Sequence, residues 1–293
     1  GYGFLSENPV LAELCAKRGI KFIGPSPEVI HRMGDKIQAR QAMIDAGVPV
    51  VPGSQGNLEN VGQARELAAR IGYPVMLKAT NGGGGRGIRR CNSEEELLKN
   101  FDRVVSEATK AFGKPEVFME KCVVNPKHIE VQVIGDSFGN VIHLFERDCS
   151  IQRRNQKLIE IAPSPQLTGA QRDYIGKIAV QAAKTVGYEN AGTVEFLLDT
   201  DNQFYFMEMN TRLQVEHTVT ETITGIDIVQ EQIRVASGLP LQYKQEDINY
   251  RGFAMEFRIN AEDPKNNFLP SFGRITRYYA PGGPGVRTDA AMY

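Results

Sequence analysis

Two apolar runs on either side of a short polar segment most constrain how this chain can fold. Residues 192–198 and 203–207 are rich in β-branched and aromatic side chains, so the pattern predicts a β-hairpin. If Asp201-Asn202 is a two-residue turn, Glu195 lies directly opposite Glu208 on the facing strand. Carboxylates that face each other across a pair of strands repel. We therefore expect a positively charged ligand to bind between them.

The same hairpin predicts a metal site. Side chains two positions apart on a strand share a face, so Asn210 lies beside Glu208. Glu195, Glu208 and Asn210 then converge as hard oxygen ligands of the kind that Mg²⁺ or Mn²⁺ prefers. The alternative is a four-residue loop or a register slipped by one residue, which would turn the acids towards water.

The composition excludes some classes of protein. The chain has 293 residues, 41% of them hydrophobic and 24% charged, which suffices for one large domain or two smaller ones. The formal net charge of -1 offers no basic field for a nucleic-acid backbone, so we expect no nucleic-acid partner. No apolar run is long enough to span a bilayer and no signal sequence is seen, so we expect no membrane partner and a cytoplasmic location.

Four scattered cysteines support the same location. Cys15, Cys91, Cys122 and Cys149 form no C-x-x-C pair, which fits neither a zinc site nor a dense disulfide framework and favours a reducing compartment. The chain begins without methionine and ends without a closing helix or tail, so we expect a fragment of a longer protein.

A glycine-rich segment, residues 81–87, predicts a phosphate-binding flap. It contains a formal G-x-G-x-x-G, but Ile88–Cys91 reads as a strand, whereas a dinucleotide-binding loop opens a helix. Glycine amides can approach phosphates closely, although a merely flexible hairpin tip is the alternative. Lys78 alternates away from its apolar strand neighbours and suits an α-phosphate. Lys36, in the first turn of a predicted helix, suits an anion only if one binds at that N-terminus.

Two further segments carry polar patterns. In the predicted strand from Lys127 to Ile134, His128, Glu130 and Gln132 share one face and an apolar set occupies the other. The run from Arg147 to Lys157 is basic with interleaved amides, and as charge alone it is typical of a solvated surface.

Taken together, these motifs resemble the biotin carboxylase members of the ATP-grasp superfamily over essentially the whole chain. The matching segments, in order, are 33–36, the glycine loop after Lys78, 119–121, 146–154, 208–217 and 258–264. The resemblance implies an ATP-grasp fold of the α/β (α+β) class. It implies a remnant of the N-terminal Rossmann-like domain with connecting helices at 1–50, a lid subdomain with the flap at 51–122, and a truncated C-terminal catalytic subdomain at 123–293.

The resemblance also implies a role for each site residue. Nucleotide would be held by Lys36, Lys78, Gly82, Gly83, Gly84, Gly85, Glu120, Lys121, Cys122, Val123, His128, Gln152 and Asn155. Bicarbonate and biotin would be held by Lys157, Arg212, Gln214, Val215 and Arg258. Catalysis would fall to Lys157, Arg212, Arg258 and the general base Glu216. The metal ions, expected to be two Mg²⁺ or Mn²⁺, would be held by Glu195, Glu208 and Asn210.

The implied activity is ATP-dependent carboxylation of biotin by bicarbonate through carboxyphosphate. The implied partners are a biotin carboxyl carrier, a carboxyltransferase and a second copy of the full-length protein. One departure from the family pattern is Asn155, where histidine is common, and another is Asn81, where a glycine is common. Two alternatives stay open: another ATP-grasp ligase, such as a carbamoyl phosphate synthetase domain, and a non-catalytic nucleotide-binding fragment.

Overall fold

The computed structural model describes residues 1–80 and 87–290, which form two compact units, Gly1–Phe257 and a smaller one that begins at Arg258. The described helices are α1 Pro9–Lys17, α2 Pro27–Gly34, α3 Lys36–Asp45, α4 Val61–Ile71, α5 Glu94–Phe112, α6 Gly169–Thr185, α7 His217–Thr224 and α8 Ile228–Ala236. The described strands are β1 Val75–Ala79, β2 Ile88–Cys91, β3 Val117–Lys121, β4 Lys127–Gly135, β5 Val141–Arg153, β6 Gln156–Ala162, β7 Asn190–Leu198, β8 Phe204–Asn210, β9 Ala254–Phe257, β10 Glu262–Asp263 and β11 Leu269–Pro270.

A six-stranded antiparallel sheet is the centre of the larger unit, with strand order β8-β7-β4-β5-β6-β9. One face of the sheet packs under α3 and α6, where Ile129, Val131 and Val133 of β4 lie in the largest hydrophobic core. The polar side chains of β4 do not face water, because Glu130 and Gln132 are fully buried on the other side. Burying a carboxylate is costly unless it is paired, so this polar face marks the candidate site.

A second, three-stranded antiparallel sheet has the order β2-β1-β3 and packs against α4 and α5. Its core is separate from that of the large sheet and includes Val75, Leu77 and Ala79, so Lys78 is held off the apolar face as predicted. The glycine loop joins β1 to the antiparallel strand β2 and does not lead into a helix. This connection confirms that the loop is not of the dinucleotide-binding kind.

The α/β (α+β) class is confirmed, and several elements depart from the sequence prediction. The sequence pattern predicts a strand at residues 21–24, but these residues form no strand in the structure, because no neighbouring strand pairs with them. The sequence pattern predicts a helix over residues 57–72. The structure has this helix as α4, which begins at Val61, since the Asn60 side chain accepts a hydrogen bond from the Gln63 amide and caps it there. Helix α7 was not predicted at all. The predicted boundaries at residues 50 and 122 remain a prediction.

Candidate active site

The Lys157 ammonium group lies among three buried carboxylates. Its Nζ atom is 2.5 Å from Glu130 Oε2, 2.9 Å from Glu195 Oε1 and 2.8 Å from Glu216 Oε1. Burial alone would lower the pKa of Lys157, but the charges of Glu130 and Glu195 outweigh it and raise the pKa. Lys157 is therefore a permanent cation, and Glu216 is held beside it at the N-cap of α7.

Arg147 lies behind this cluster and is completely buried. Its Nε donates to Glu130 Oε1 at 2.5 Å, and its terminal nitrogens donate to side chains on β4, β7, α7 and the segment between β8 and α7. Those acceptors are Gln132, Thr193, Gln214 and Thr220. The structure corrects the prediction of a solvated surface for Arg147, which is fully buried, whereas Arg154 at the other end of the basic run is exposed.

A bulge in β5 turns Arg147 inward. Val133 pairs with His143 but Val131 pairs with Glu146, so β5 carries one extra residue at this point. Phe145 takes a positive φ of 65° there. Bulges re-aim the side chains that follow them, and the shifted register sets Arg147 directly opposite Glu130 on β4.

His128 connects the cluster to the next polar side chain. Its Nε2 lies 2.7 Å from Glu195 Oε2 and its Nδ1 lies 2.8 Å from Gln152 Nε2. Burial would lower the pKa of His128, but the hydrogen bond with Glu195 raises it. Burial would likewise raise the pKa of Glu195, and the contacts with His128 and Lys157 lower it. Glu195 is therefore a fixed carboxylate.

The three predicted metal ligands are neighbours. Glu195 pairs with Glu208 across β7 and β8, and Asn210 Nδ2 donates to Glu195 Oε1 at 2.8 Å. Although solvent reaches part of Glu208, the protein around its carboxyl group and the charge of Glu195 raise the pKa of Glu208. Two facing carboxylates and an amide fit a divalent cation, because such an ion would remove this repulsion.

Two further groups of possible metal ligands lie in the described parts of the chain. His128, Glu130 and Glu195 bring ligand atoms within 4.8 Å of one another, and so do Glu130, Cys149 and Glu216. Both groups are already neutralised by Lys157 and Arg147. Among the described residues, Glu208 forms no ion pair with Lys157 or Arg147, although the charge of Lys36 acts on it, so a cation fits best on its side of Glu195.

Residues 212–216, which follow β8, lie beside the same cluster of carboxylates. Gln214 donates to Glu195 Oε1 at 3.2 Å and accepts from Arg147, so it lies within the buried network. Arg212 is partly exposed and donates to Asn210 Oδ1 at 3.3 Å. Val215 is exposed. Arg212 is joined to Glu195 through Asn210, and Glu216 is joined to Glu195 through Lys157, so both belong to the network around Glu195.

Two predicted phosphate lysines, Lys36 and Lys78, lie near each other. The Lys78 ammonium group contacts Glu120, which also accepts from Arg40 at 3.4 Å. Burial lowers the pKa of Lys36, the charge of Glu208 opposes this effect and the charge of Lys78 adds to it. Lys36 is the first residue of α3, next to its cap Asp35, and its charge interacts with those of Lys78 and Glu120.

Two of the remaining predicted nucleotide-binding residues, Lys121 and Cys122, form hydrogen bonds within the protein. The amides of Lys121 and Cys122 donate to Pro52 and Pro74 within the protein, and the Lys121 ammonium donates to Gly72 and Tyr73 carbonyls. These groups are therefore not free for a ligand. Gly82, Gly83, Gly84 and Gly85 lie outside the described residues.

The backbone conformation at position 155 explains why asparagine fits there. It follows Arg154 in a two-residue turn between β5 and β6, and both residues have positive φ, 52° and 64°. Asparagine tolerates this conformation well. Its side chain is exposed at the turn. Arg258 belongs to the smaller unit and is described only there.

Three residues that hold this site together were not predicted as site residues from the sequence: Glu7, Glu130 and Arg147. The sequence did indicate Glu130, since this residue lies on the polar face of a predicted strand. Arg147 had none, because charge alone suggested the surface and the bulge that buries it leaves no mark in the pattern. Glu7 is more than 200 residues from its partner Arg212.

The chain is similar to known proteins along its full length. Family models match as "Biotin carboxylase, N-terminal domain" at residues 1–30, "Carbamoyl-phosphate synthase L chain, ATP binding domain" at 35–244 and "Biotin carboxylase C-terminal domain" at 256–293. The 2-oxoglutarate carboxylase small subunit of Hydrogenobacter thermophilus is 60% identical over 99% of this chain and 62% of its own length. The chain spans less than two thirds of the length of the curated relatives it matches.

Solved structures show the same likeness. The crystal structure of the biotin carboxylase domain dimer of that Hydrogenobacter enzyme, in complex with MgADP, ADP and bicarbonate, has a TM-score of 0.92 at 60% identity, covering 97% of this chain and 62% of the other. The Campylobacter jejuni biotin carboxylase in complex with β-γ-ATP has a TM-score of 0.94 at 56% identity, covering 98% and 64%.

Proposed function

Because the chain belongs to the biotin carboxylase family, we propose that it carboxylates biotin with bicarbonate and ATP, the first half-reaction of a biotin-dependent carboxylase. The observation that carries the proposal is the pairing of Glu216 with Lys157 at 2.8 Å, in the same hydrogen-bonded network as the partly exposed Arg212. A fixed carboxylate beside a guanidinium suits a small oxyanion that must lose a proton, and bicarbonate is such an ion.

In the first step, Arg212 and Gln214 would hold bicarbonate while Glu216 removes its proton. The resulting oxyanion would attack the γ-phosphorus of ATP, forming carboxyphosphate and releasing ADP. Lys36 and Lys78 would neutralise charge on the phosphate oxygens. Lys157 keeps the Glu216 carboxyl group in place before the step, so the base is positioned when the substrate binds.

In the second step, carboxyphosphate would break down to CO₂ and phosphate. Phosphate would take the proton from N1 of biotin, and N1 would then capture CO₂. Arg258 is proposed to stabilise the negative charge on the ureido oxygen, on the strength of its sequence motif alone. A closed site would protect carboxyphosphate from water.

The metal ion supplies charge neutralisation at the phosphates when it is bound. Glu195, Glu208 and Asn210 would hold it, and a related structure contains MgADP. That two ions bind, and that Mn²⁺ can replace Mg²⁺, remain proposals. The same holds for the carrier and carboxyltransferase partners, for a dimer and for a cytoplasmic location. None of the described helices is long and apolar enough to cross a membrane.

The test is the dependence of ATP cleavage on its co-substrates. We expect ADP release to require bicarbonate and to increase when free biotin is added. If ammonia replaces biotin and carbamoyl phosphate accumulates, the protein is a carbamoyl phosphate synthetase-like ligase. If ATP binds without any turnover, the non-catalytic alternative holds.

A further inference from the structure

The Arg212 guanidinium is held on three sides. Its Nε donates to Glu7 Oε2 at 2.9 Å, one terminal nitrogen donates to Asn210 Oδ1 at 3.3 Å, and the other donates to the Leu213 carbonyl at 3.4 Å. A guanidinium has five N–H donors. These bonds use three of them and leave one N–H on each terminal nitrogen for an anion.

Glu7 comes from a part of the chain far from the hairpin. Its second oxygen, Oε1, accepts from the Thr211 amide at 3.0 Å and from the Thr211 hydroxyl at 3.4 Å. The segment is attached at a second point, where the Leu213 amide donates to the Gly1 carbonyl at 3.1 Å. One carboxylate therefore holds both the side chain of Arg212 and the backbone that precedes it.

We propose that Glu7 is a positioning residue for the anion site, acting through Arg212. The inference rests on the proposed function, because the anion is bicarbonate. Glu7 fixes the Nε edge and so aims the two remaining N–H groups at one place. Both side chains are partly exposed, 40% for Glu7 and 30% for Arg212, so a loose arginine would otherwise sample several directions in water.

Positioning and competition predict opposite results. If Glu7 positions Arg212, its removal spreads the guanidinium over several conformers and weakens bicarbonate binding. If Glu7 merely competes with bicarbonate for the positive charge, its removal strengthens binding. The sign of the change in KM for bicarbonate therefore separates the two roles.

The experiment compares Glu7→Ala, Glu7→Gln and the control Glu13→Ala in the full-length protein. Glu13 is an exposed acid on α1 close in sequence to Glu7. We expect Glu7→Ala to raise the KM for bicarbonate about tenfold, equivalent to ~1.4 kcal/mol, while the KM for ATP changes less than twofold. Glu7→Gln keeps a carbonyl acceptor, so it should give a smaller rise, and it keeps the test valid if the alanine variant does not fold.

Repeating the Glu7→Ala comparison in an Arg212→Lys variant shows whether Glu7 acts through Arg212. Lysine has no Nε–H edge, so in an Arg212→Lys background the Glu7→Ala change should alter the KM for bicarbonate less than twofold. An equal change in both backgrounds, an unchanged KM or a lower KM would overturn the inference while leaving the proposed function intact. A wild-type protein without bicarbonate-dependent turnover would overturn the proposed function, and this inference with it.

Discussion

Glu195 lies directly opposite Glu208, and two irregularities of the hairpin produce this pairing. The turn has three residues, not the predicted two, since the Asp199 amide donates to the Gln203 carbonyl and Asn202 takes a positive φ of 61°. Alone, that turn would set Glu195 opposite Met207. A bulge between Phe206 and Glu208 adds one residue and restores the predicted partner.

The Glu195–Glu208 pair predicts opposite effects on stability and on activity. Glu208→Gln removes a negative charge that faces Glu195, so without metal the free energy of unfolding should rise by ~0.5–1 kcal/mol. The same change should weaken Mg²⁺-dependent ATP binding. Urea unfolding without metal and nucleotide titration with Mg²⁺ measure the two effects. Glu66→Gln, an exposed acid on α4, should change neither.

Because Glu216 contacts Lys157, replacing it with glutamine should abolish proton removal while leaving ATP binding intact. Glu216→Gln keeps an oxygen that can accept from Lys157, so the side chain should stay in place. It cannot remove a proton, and we expect biotin carboxylation to fall by roughly 100-fold or more. The Kd for ATP should change less than about threefold. Unchanged turnover would show that another group is the base.

Arg147 is predicted to matter most for stability. Arg147→Met leaves the buried Glu130 with one fewer cation and four side chains without their donor, so the free energy of unfolding should fall by ~3–5 kcal/mol. Glu130→Gln added to Arg147→Met should recover part of this loss. Denaturant unfolding of both variants tests the prediction, and purely additive losses would contradict the coupling.

His143, outside the site, predicts a pH effect. Burial lowers the pKa of His143, while Asp173 of α6 opposes this. Its Nδ1 accepts from the Phe145 amide at 3.3 Å, and Gly176 of α6 packs on the ring. Because the folded pKa lies below 6.5, the unfolded chain binds more protons there and stability falls as the pH drops below 6.5.

The corresponding measurement compares unfolding of wild type and His143→Gln from pH 7.5 to 5. Glutamine does not titrate, so the variant should lose less stability over this interval than wild type does. Equal losses in both proteins would mean that other groups account for the acid sensitivity.

Local patterns predicted much of the fold and less of the site. Asp35 and Thr168 are residues of the capping type and predict helix starts from the sequence. Helices α3 and α6 begin directly after them, because the effect of a cap depends on neighbours in sequence. The strand expected at residues 21–24 did not form, since a strand depends on a partner that the local pattern does not specify. Arg147 was missed for a related reason: a single extra residue in β5 decides which way it points.

Transfer of labelled bicarbonate to biotin tests the central claim most directly. Full-length protein with MgATP, free biotin and ¹⁴C-bicarbonate should form acid-labile labelled carboxybiotin together with an equal amount of ADP. The label should be absent when ATP or biotin is omitted, and nearly absent with Glu216→Gln. ATP cleavage without label in biotin, in a folded wild-type protein, would contradict the account.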